Sequence, residues 1–182
     1  MNRYLAGALA GAIATVPMTW AMNRMHRRLP RRERYPLPPR LITERVAAAV
    51  DVADDLTGRQ HEALALASHY AYGAAVGAGC APVIQATGAP PVVAGVGYGL
   101  AVWGASYLGW IPALRILRPA TEHPARRVAM MLAAHMVWGA ATGYLTARLS
   151  RWNTPASPAR AAWTDEDTGA TVRRQEEPAE VA

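Results

Sequence analysis

Residues 4–22 read YLAGALAGAIATVPMTWAM and contain no Asp, Glu, Lys or Arg. This length matches the roughly 20 apolar residues that a helix needs to cross a bilayer. Three more stretches share the property, and they are residues 63–84, 92–114 and 128–147. None of the four shows the polar stripe of a soluble amphipathic helix, and all are longer than a buried strand. The sequence therefore predicts an all-α membrane protein with four transmembrane helices within residues 1–150.

The arginines predict the orientation of this bundle. Nine of the 19 basic residues lie in residues 23–62 and four in residues 115–127, whereas residues 85–91 carry no charge. Short loops rich in Arg stay in the cytoplasm, so both termini are expected on the outer side of the membrane. Only Arg3 precedes the first apolar run, a charge order that favours a retained helix over a cleaved signal peptide.

The same topology accounts for the net charge of +6, so no nucleic-acid partner is expected. Anionic lipid headgroups at the Arg-rich loop are the expected partner of these arginines, together with the bilayer itself. The tail, residues 151–182, is rich in Pro, Ala, Thr and charge, and its composition predicts disorder.

The long cytoplasmic loop contains two recognisable segments. Residues 35–40 read YPLPPR, which predicts an extended polyproline strap. Residues 41–56 then show helical period, which predicts a helix at the cytoplasmic interface. Its apolar stripe consists of Ile42, Val46, Ala49, Ala53 and Leu56.

Each predicted span carries two glycines four residues apart. The pairs are Gly7/Gly11, Gly73/Gly77, Gly95/Gly99 and Gly139/Gly143. Glycines at this spacing share a helix face and let two backbones approach closely. Their presence in all four spans indicates a self-packed bundle, and we expect a homo-oligomer.

An internal repeat relates the two halves of the bundle. Residues 69–77 read HYAYGAAVG and residues 135–143 read HMVWGAATG, so both follow H-x-x-aromatic-G-A-A-x-G, with Tyr72 and Trp138 at the aromatic position. The first and third spans share A-G-x-x-x-G at residues 6–11 and 94–99. This pattern predicts two helix hairpins in parallel orientation, related by a pseudo-two-fold axis along the membrane normal.

His69 and His135 are the only imidazole, amine or carboxylate groups inside the predicted spans. Ionisable groups within a bilayer are costly and are functional candidates by default. Three interpretations remain open. The imidazoles can hydrogen-bond to neighbouring helices, with Ser68, Tyr72, Ser106 and Thr142 as candidate partners. They can also line a path for a proton or a small solute, or ligate a metal or haem as a pair.

No familiar catalytic arrangement is present. The sequence has no metalloprotease, nucleotide-binding or nucleophile-elbow motif, and its single cysteine, Cys80, lies too far along the second span to pair with His69. We therefore expect no catalytic residues and, unless the histidines hold one, no cofactor. Pro17 and Pro112 are expected to kink the first and third spans.

The glycine-rich spans, the G-A-A-x-G segments that follow histidine and the V-W-G-A-S segment at residues 102–106 resemble the DUF1440, or YagU-like, family of bacterial inner-membrane proteins. The resemblance covers residues 4–149. It implies an inner-membrane location and a link to acid resistance, and it supplies no catalytic residues. The resulting hypothesis is a non-enzymatic membrane protein that supports envelope or pH homeostasis. The alternatives are a bis-histidine haem or metal protein and a small-solute or proton pathway at the repeat interface.

Overall fold

The computed structural model describes residues 2–52 and 56–151, and every regular element among them is helical. The α-helices are α1 Arg3–His26, α2 Pro38–Ala49, α3 Gly58–Gly77, α4 Cys80–Thr87, α5 Pro91–Gly104, α6 Ile111–Ala113 and α7 Ala125–Arg151. Short 3₁₀ turns occupy Arg31–Glu33 and Ala120–Glu122, and a π-helical turn, Ala105–Trp110, joins α5 to α6. The predicted disordered tail, from residue 152 onwards, lies outside the described residues.

Three helical stretches are long and apolar enough to cross a membrane. They are α1, the run Pro91–Ala113 and the run Ala125–Ser150. The all-α prediction is therefore confirmed for the described residues, and three of the predicted spans correspond to apolar helices of sufficient length. The second predicted span, residues 63–84, is not among them.

The structure divides that second span into α3 and α4. The carbonyl oxygen of Val76 accepts hydrogen bonds from the Gly79 backbone N–H at 3.1 Å and from the Tyr98 hydroxyl of α5 at 2.6 Å. An uninterrupted helix would offer this carbonyl to Cys80 instead. At its other end, α3 begins at Gly58, where Thr57 and Gln60 form a capping box, so it also takes in the charged residues before position 63.

The third predicted span is also irregular. Pro112 lacks an N–H group, and its ring crowds the carbonyl of the residue four positions earlier. The chain responds at Gly109, whose φ of −110° and ψ of −109° are not helical. The kink that Pro112 predicts is thus located at Gly109, whereas α1 remains a single helix through Pro17.

The helix predicted within the long loop differs from its prediction in position and in part of its buried face. The predicted strap over residues 35–40 is wrong in its second half, because Pro38 and Pro39 form the first turn of α2, where proline is tolerated. The helix then ends at Ala49, so it is shorter than residues 41–56. Ala53 of the predicted stripe lies outside the described residues.

Within α2, the predicted apolar stripe coincides with the packing face only at Ile42, which is half-buried against the hydrophobic core. Val46 is 48% exposed, whereas Thr43 and Ala47 are buried. The Thr43 hydroxyl lies 3.0 Å from the Ser68 hydroxyl of α3, so a polar contact and a small side chain join the two helices.

The glycine pairs join the long helices two by two. Gly7 and Gly11 of α1 face Gly73 and Gly77 of α3, and Gly95 and Gly99 of α5 face Gly139 and Gly143 of α7. A Cβ atom built on Gly11 would overlap the Gly73 carbonyl oxygen and lie 2.8 Å from the Gly77 Cα. The two backbones are therefore in direct contact, which only glycine permits.

The two helix pairs have different registers. Gly11 faces Gly73 in the first pair, and Gly95 faces Gly139 in the second. The repeated histidine motif places Gly73 of α3 and Gly139 of α7 at the same motif position. Because Gly11 contacts Gly73 and Gly95 contacts Gly139, the contacts make Gly95 of α5 equivalent to Gly11 of α1. The A-G-x-x-x-G match instead aligns Gly11 with Gly99, which is one helical turn away.

Arg127, at the start of α7, binds the loop between α1 and α2 through hydrogen bonds. Its Nη1 donates to the carbonyl oxygens of Glu33 at 2.8 Å and Tyr35 at 2.9 Å, and its Nη2 donates to that of Pro36 at 3.1 Å. The guanidinium also stacks on the Tyr35 ring, 3.5 Å from its centroid. The side chain is buried, so this arginine serves packing as well as charge.

Glycine packing can be tested on two neighbouring residues of α5. Gly95→Ala places a methyl group against the Gly139 carbonyl. We expect the free energy of unfolding to fall by about 1–3 kcal/mol, because the backbone of α7 cannot move aside as a flexible side chain would. Gly97→Ala is the matched control, since its Cβ would meet nothing within 4 Å. Thermal unfolding in detergent measures both, and equal midpoints would contradict the packing.

Arg127 can be tested without a change of charge. Arg127→Lys removes the planar fork that reaches three carbonyl groups, and we expect the free energy of unfolding to fall by about 1.5–3 kcal/mol. Arg126→Lys, at the exposed neighbouring position, should stay within about 0.5 kcal/mol of the wild type. If the two variants unfold alike, the carbonyl contacts do not stabilise the loop.

Candidate functional site

His69 of α3 and His135 of α7 line the same cavity. The cavity has a volume of about 240 Å³. Its wall is formed by α1, α2, α3, α5, the π-helical turn, α6 and α7, and most of the side chains on it are apolar. Two histidines that are 66 positions apart in the sequence therefore share one space.

The environment of His135 fixes its tautomer. This side chain is 5% exposed, and its Nδ1 lies 2.8 Å from the carbonyl oxygen of Met131, one turn earlier on α7. A carbonyl oxygen only accepts, so Nδ1 carries the hydrogen and donates. In the neutral imidazole this leaves Nε2 with a free lone pair, which is the form that binds metals. The Tyr107 ring packs edge-on against the imidazole, with 6.0 Å between centroids.

His69 is held less firmly than His135. It is half-buried, and its ring meets the Tyr70 ring edge-on at 6.5 Å between centroids. Within residues 2–52 and 56–151, no hydrogen bond to its imidazole is found. Both of its nitrogens thus remain available to a molecule in the cavity.

Within the described part of the chain, none of the four polar residues proposed as partners of the histidines bonds to either imidazole. Tyr72 and Ser106 pair with each other, with 2.8 Å between their hydroxyl oxygens. Ser68 pairs with Thr43, as described above, and the Thr142 hydroxyl is buried with no hydrogen-bond partner in the described part of the chain. The interpretation that neighbouring helices hold the imidazoles is therefore not supported by these contacts.

The two aromatic residues of the repeated motif also differ in role. The Trp138 Nε1 donates to the carbonyl oxygen of Gly11 at 3.1 Å and so links α7 to α1. Tyr72 instead packs on Trp110, with 6.0 Å between ring centroids. Both side chains lie on the cavity wall, but only Trp138 is fully buried.

Several residues of the cavity wall were not predicted from the sequence. They include Tyr107 and three methionines, Met18, Met22 and Met131. A usable signal existed, because Met18 and Met22 are four residues apart, as are Met131 and His135. Residues at this spacing lie on the same face of a helix.

Conventional metal ligands do not cluster here. Across the described residues, no group of three or more His, Cys, Asp or Glu side chains could hold a metal ion. Cys80 is fully buried and is not part of the cavity wall. The histidine pair would need ligands of another kind to complete a metal site.

The tautomer of His135 gives a direct test of the site. In protein with ¹⁵N-labelled histidine, we expect a protonated Nδ1 and an unprotonated Nε2 for His135, because the Met131 carbonyl requires a donor. Nitrogen NMR in detergent measures both signals, and their loss in His135→Gln assigns them. A protonated Nε2 with a bare Nδ1 would contradict the hydrogen bond to Met131.

The chain was compared with protein-family models, with curated proteins and with solved structures, and nothing matches it. The resemblance to the DUF1440 family therefore stays a prediction.

Proposed function

We propose that this chain is a multi-pass membrane protein that binds a small solute in the cavity beside His69 and His135. One observation carries the proposal, namely that both imidazoles line a single cavity and neither is bonded to another helix among the described residues. Ionisable groups within a membrane helix are costly and commonly mark functional sites, so a bound molecule or ion that engages these imidazoles explains their presence.

The distribution of side chains on α1 supports a membrane location. This helix buries its smallest residues, and Ala6, Ala10 and Ala14 are each 0% exposed. Five large apolar residues of α1 face outwards, and they are Leu5, Leu9, Ile13, Val16 and Trp20. A soluble helix buries its large apolar side chains instead. An outward apolar face of this extent fits contact with lipid or with a second copy of the chain.

The four-span arrangement with two parallel hairpins belongs to the same proposal. The glycine contacts pair α1 with α3 and α5 with α7, which are the pairs that two hairpins require. In this arrangement α3 and α4 together form the second crossing, and Gly88, with φ of +61°, ends α4 before the short turn to α5. The cavity then lies at the interface between the two hairpins.

Orientation and environment follow from the charges. We place the protein in the bacterial inner membrane, with both termini outside and the Arg-rich loop against anionic headgroups. The resemblance to the DUF1440 family would connect the cavity with acid resistance, and so with envelope or pH homeostasis. Protons or other small solutes that pass the two histidines would serve such a role.

The size of the cavity favours a small solute over a haem. Pockets for drug-sized ligands have volumes of about 300–1,000 Å³, and the 240 Å³ found here lies below that range. A porphyrin with its side chains is larger than a typical drug. The bis-histidine pair is therefore better suited to an ion or a compact molecule.

Access to the cavity from water tests the proposal. In a Cys80→Ser background, Val102→Cys places a thiol on the cavity wall, and Ala101→Cys places one on the exposed outer side of the same helix turn. We expect a small charged thiol reagent to modify Val102→Cys faster by about tenfold or more in vesicles, because only a hydrated thiol forms the reactive thiolate.

The comparison of the two cysteines decides the outcome. A reagent that reaches the wall position but not the outer position shows a water-accessible cavity within an apolar bundle. Equal rates at both positions, or no reaction at either, would overturn the proposal. The experiment requires no knowledge of the solute.

A further inference from the structure

We infer that the cavity is a site for a soft monovalent metal ion, Cu(I), held by two imidazoles and by methionine thioethers. This inference rests on the proposed function and names the solute class of the same cavity. The donors are His69, His135, Met18, Met22 and Met131, and all five line the cavity.

The donors come from three helices and are arranged in pairs. Met18 and Met22 occupy one face of α1, one turn apart, and Met131 and His135 occupy one face of α7 in the same way. His69 of α3 contributes the fifth donor. A methionine side chain has three rotatable bonds, so its sulfur can adjust to an ion that imidazoles already position.

The hydrogen bond of His135 prepares it as a ligand. Nδ1 donates to the Met131 carbonyl, which leaves the Nε2 lone pair for a metal. Metal-binding histidines commonly donate their other N–H to a carbonyl or carboxylate, which orients the ring and raises its basicity. The same bond ties the imidazole to the residue that supplies a thioether.

The donor set selects the metal. Thioether and thiolate sulfurs prefer soft ions such as Cu(I), whereas Mg²⁺ and Ca²⁺ require oxygen ligands. Among the residues that the structure describes, no Asp or Glu lines this cavity. Hard divalent ions therefore find no suitable first ligand.

The charge of the ion is a second, independent reason why the cavity favours a monovalent ion such as Cu(I). Imidazole and thioether ligands are neutral, so a bound ion keeps its full charge in a medium of low dielectric constant. The Born penalty rises with the square of that charge, which makes a divalent ion much more costly than a monovalent one. Aromatic rings on the wall, such as Tyr107, Trp110 and Trp138, present further electron density to a cation.

Copper binding to the purified full-length protein tests the inference. Under anaerobic conditions with excess ascorbate, the protein competes with a chromophoric Cu(I) chelator, and we expect one Cu(I) per chain. Met18→Leu/Met22→Leu, Met131→Leu and His69→Gln should each weaken binding by about 10–100-fold. Exchange of Met for Leu conserves volume, so these variants should remain folded.

Met130→Leu is the matched control. Met130 is buried next to Met131 but does not line the cavity, so this variant should bind Cu(I) as the wild type does. Ag(I), which needs no reductant, should compete for the site, and Zn(II) should not. The inference would be overturned if Met130→Leu and Met131→Leu lost equal amounts of Cu(I) affinity. It would also be overturned if Zn(II) bound to the protein with an affinity that none of the methionine variants changed.

The two proposals fail in different ways. A wild-type protein that binds no Cu(I), while Val102→Cys reacts with the thiol reagent, overturns the copper site and leaves the solute cavity. If Val102→Cys is as unreactive as Ala101→Cys, the cavity is closed to water and both proposals fall.

Discussion

Direct contact between glycine backbones is the constraint on which the rest of this structure depends. At Gly11 against Gly73, and at Gly95 against Gly139, no room remains for a Cβ atom. Helices this close must place small residues inside and large apolar residues outside, which suits a lipid solvent. Along α1, the backbone contact with α3 ends after Gly11, because the next residue that faces Gly73 is Thr15, which has a larger side chain. The cavity lies beside this transition, where bulkier residues of α1 replace the glycines.

An apolar surrounding requires that backbone polar groups find partners within the protein. Each irregularity of the chain meets this requirement differently. At the end of α3 the Tyr98 hydroxyl donates to the Val76 carbonyl, and at the start of α7 the buried Arg127 donates to three carbonyl groups of the loop between α1 and α2. These side chains allow helices to break without leaving these backbone carbonyl groups unpaired. They also hold the elements that form the cavity wall.

The sequence predicted well which segments form apolar helices. It predicted less well which residues of one helix contact another helix. Absence of charge predicted the long apolar helices, and glycine spacing predicted the faces on which they touch. The break after Gly77 has a local signal in Pro82, which cannot donate a backbone hydrogen bond to Ala78. The Tyr98 hydroxyl that bonds to the Val76 carbonyl could not be predicted, because the two residues lie 22 positions apart in the chain. Likewise the apolar stripe of α2 suggested Val46 as a packing residue. The structure packs Thr43 against α3 instead, because its hydroxyl pairs with that of Ser68. That His69 and His135 line one cavity was suggested by the repeat alone.

The cavity combines unpaired imidazole nitrogens with an almost entirely neutral wall. A carboxylate beside the histidines would favour protons or divalent cations, and a wall without polar groups would favour lipid tails. Neither is found along the described cavity wall, where nitrogen and thioether donors lie among aromatic rings. Such a lining discriminates by softness and by charge at once, because soft donors reward a polarisable ion and the low dielectric constant penalises a second positive charge. Selectivity would then follow from the same lack of charged residues that allows these helices to cross a membrane.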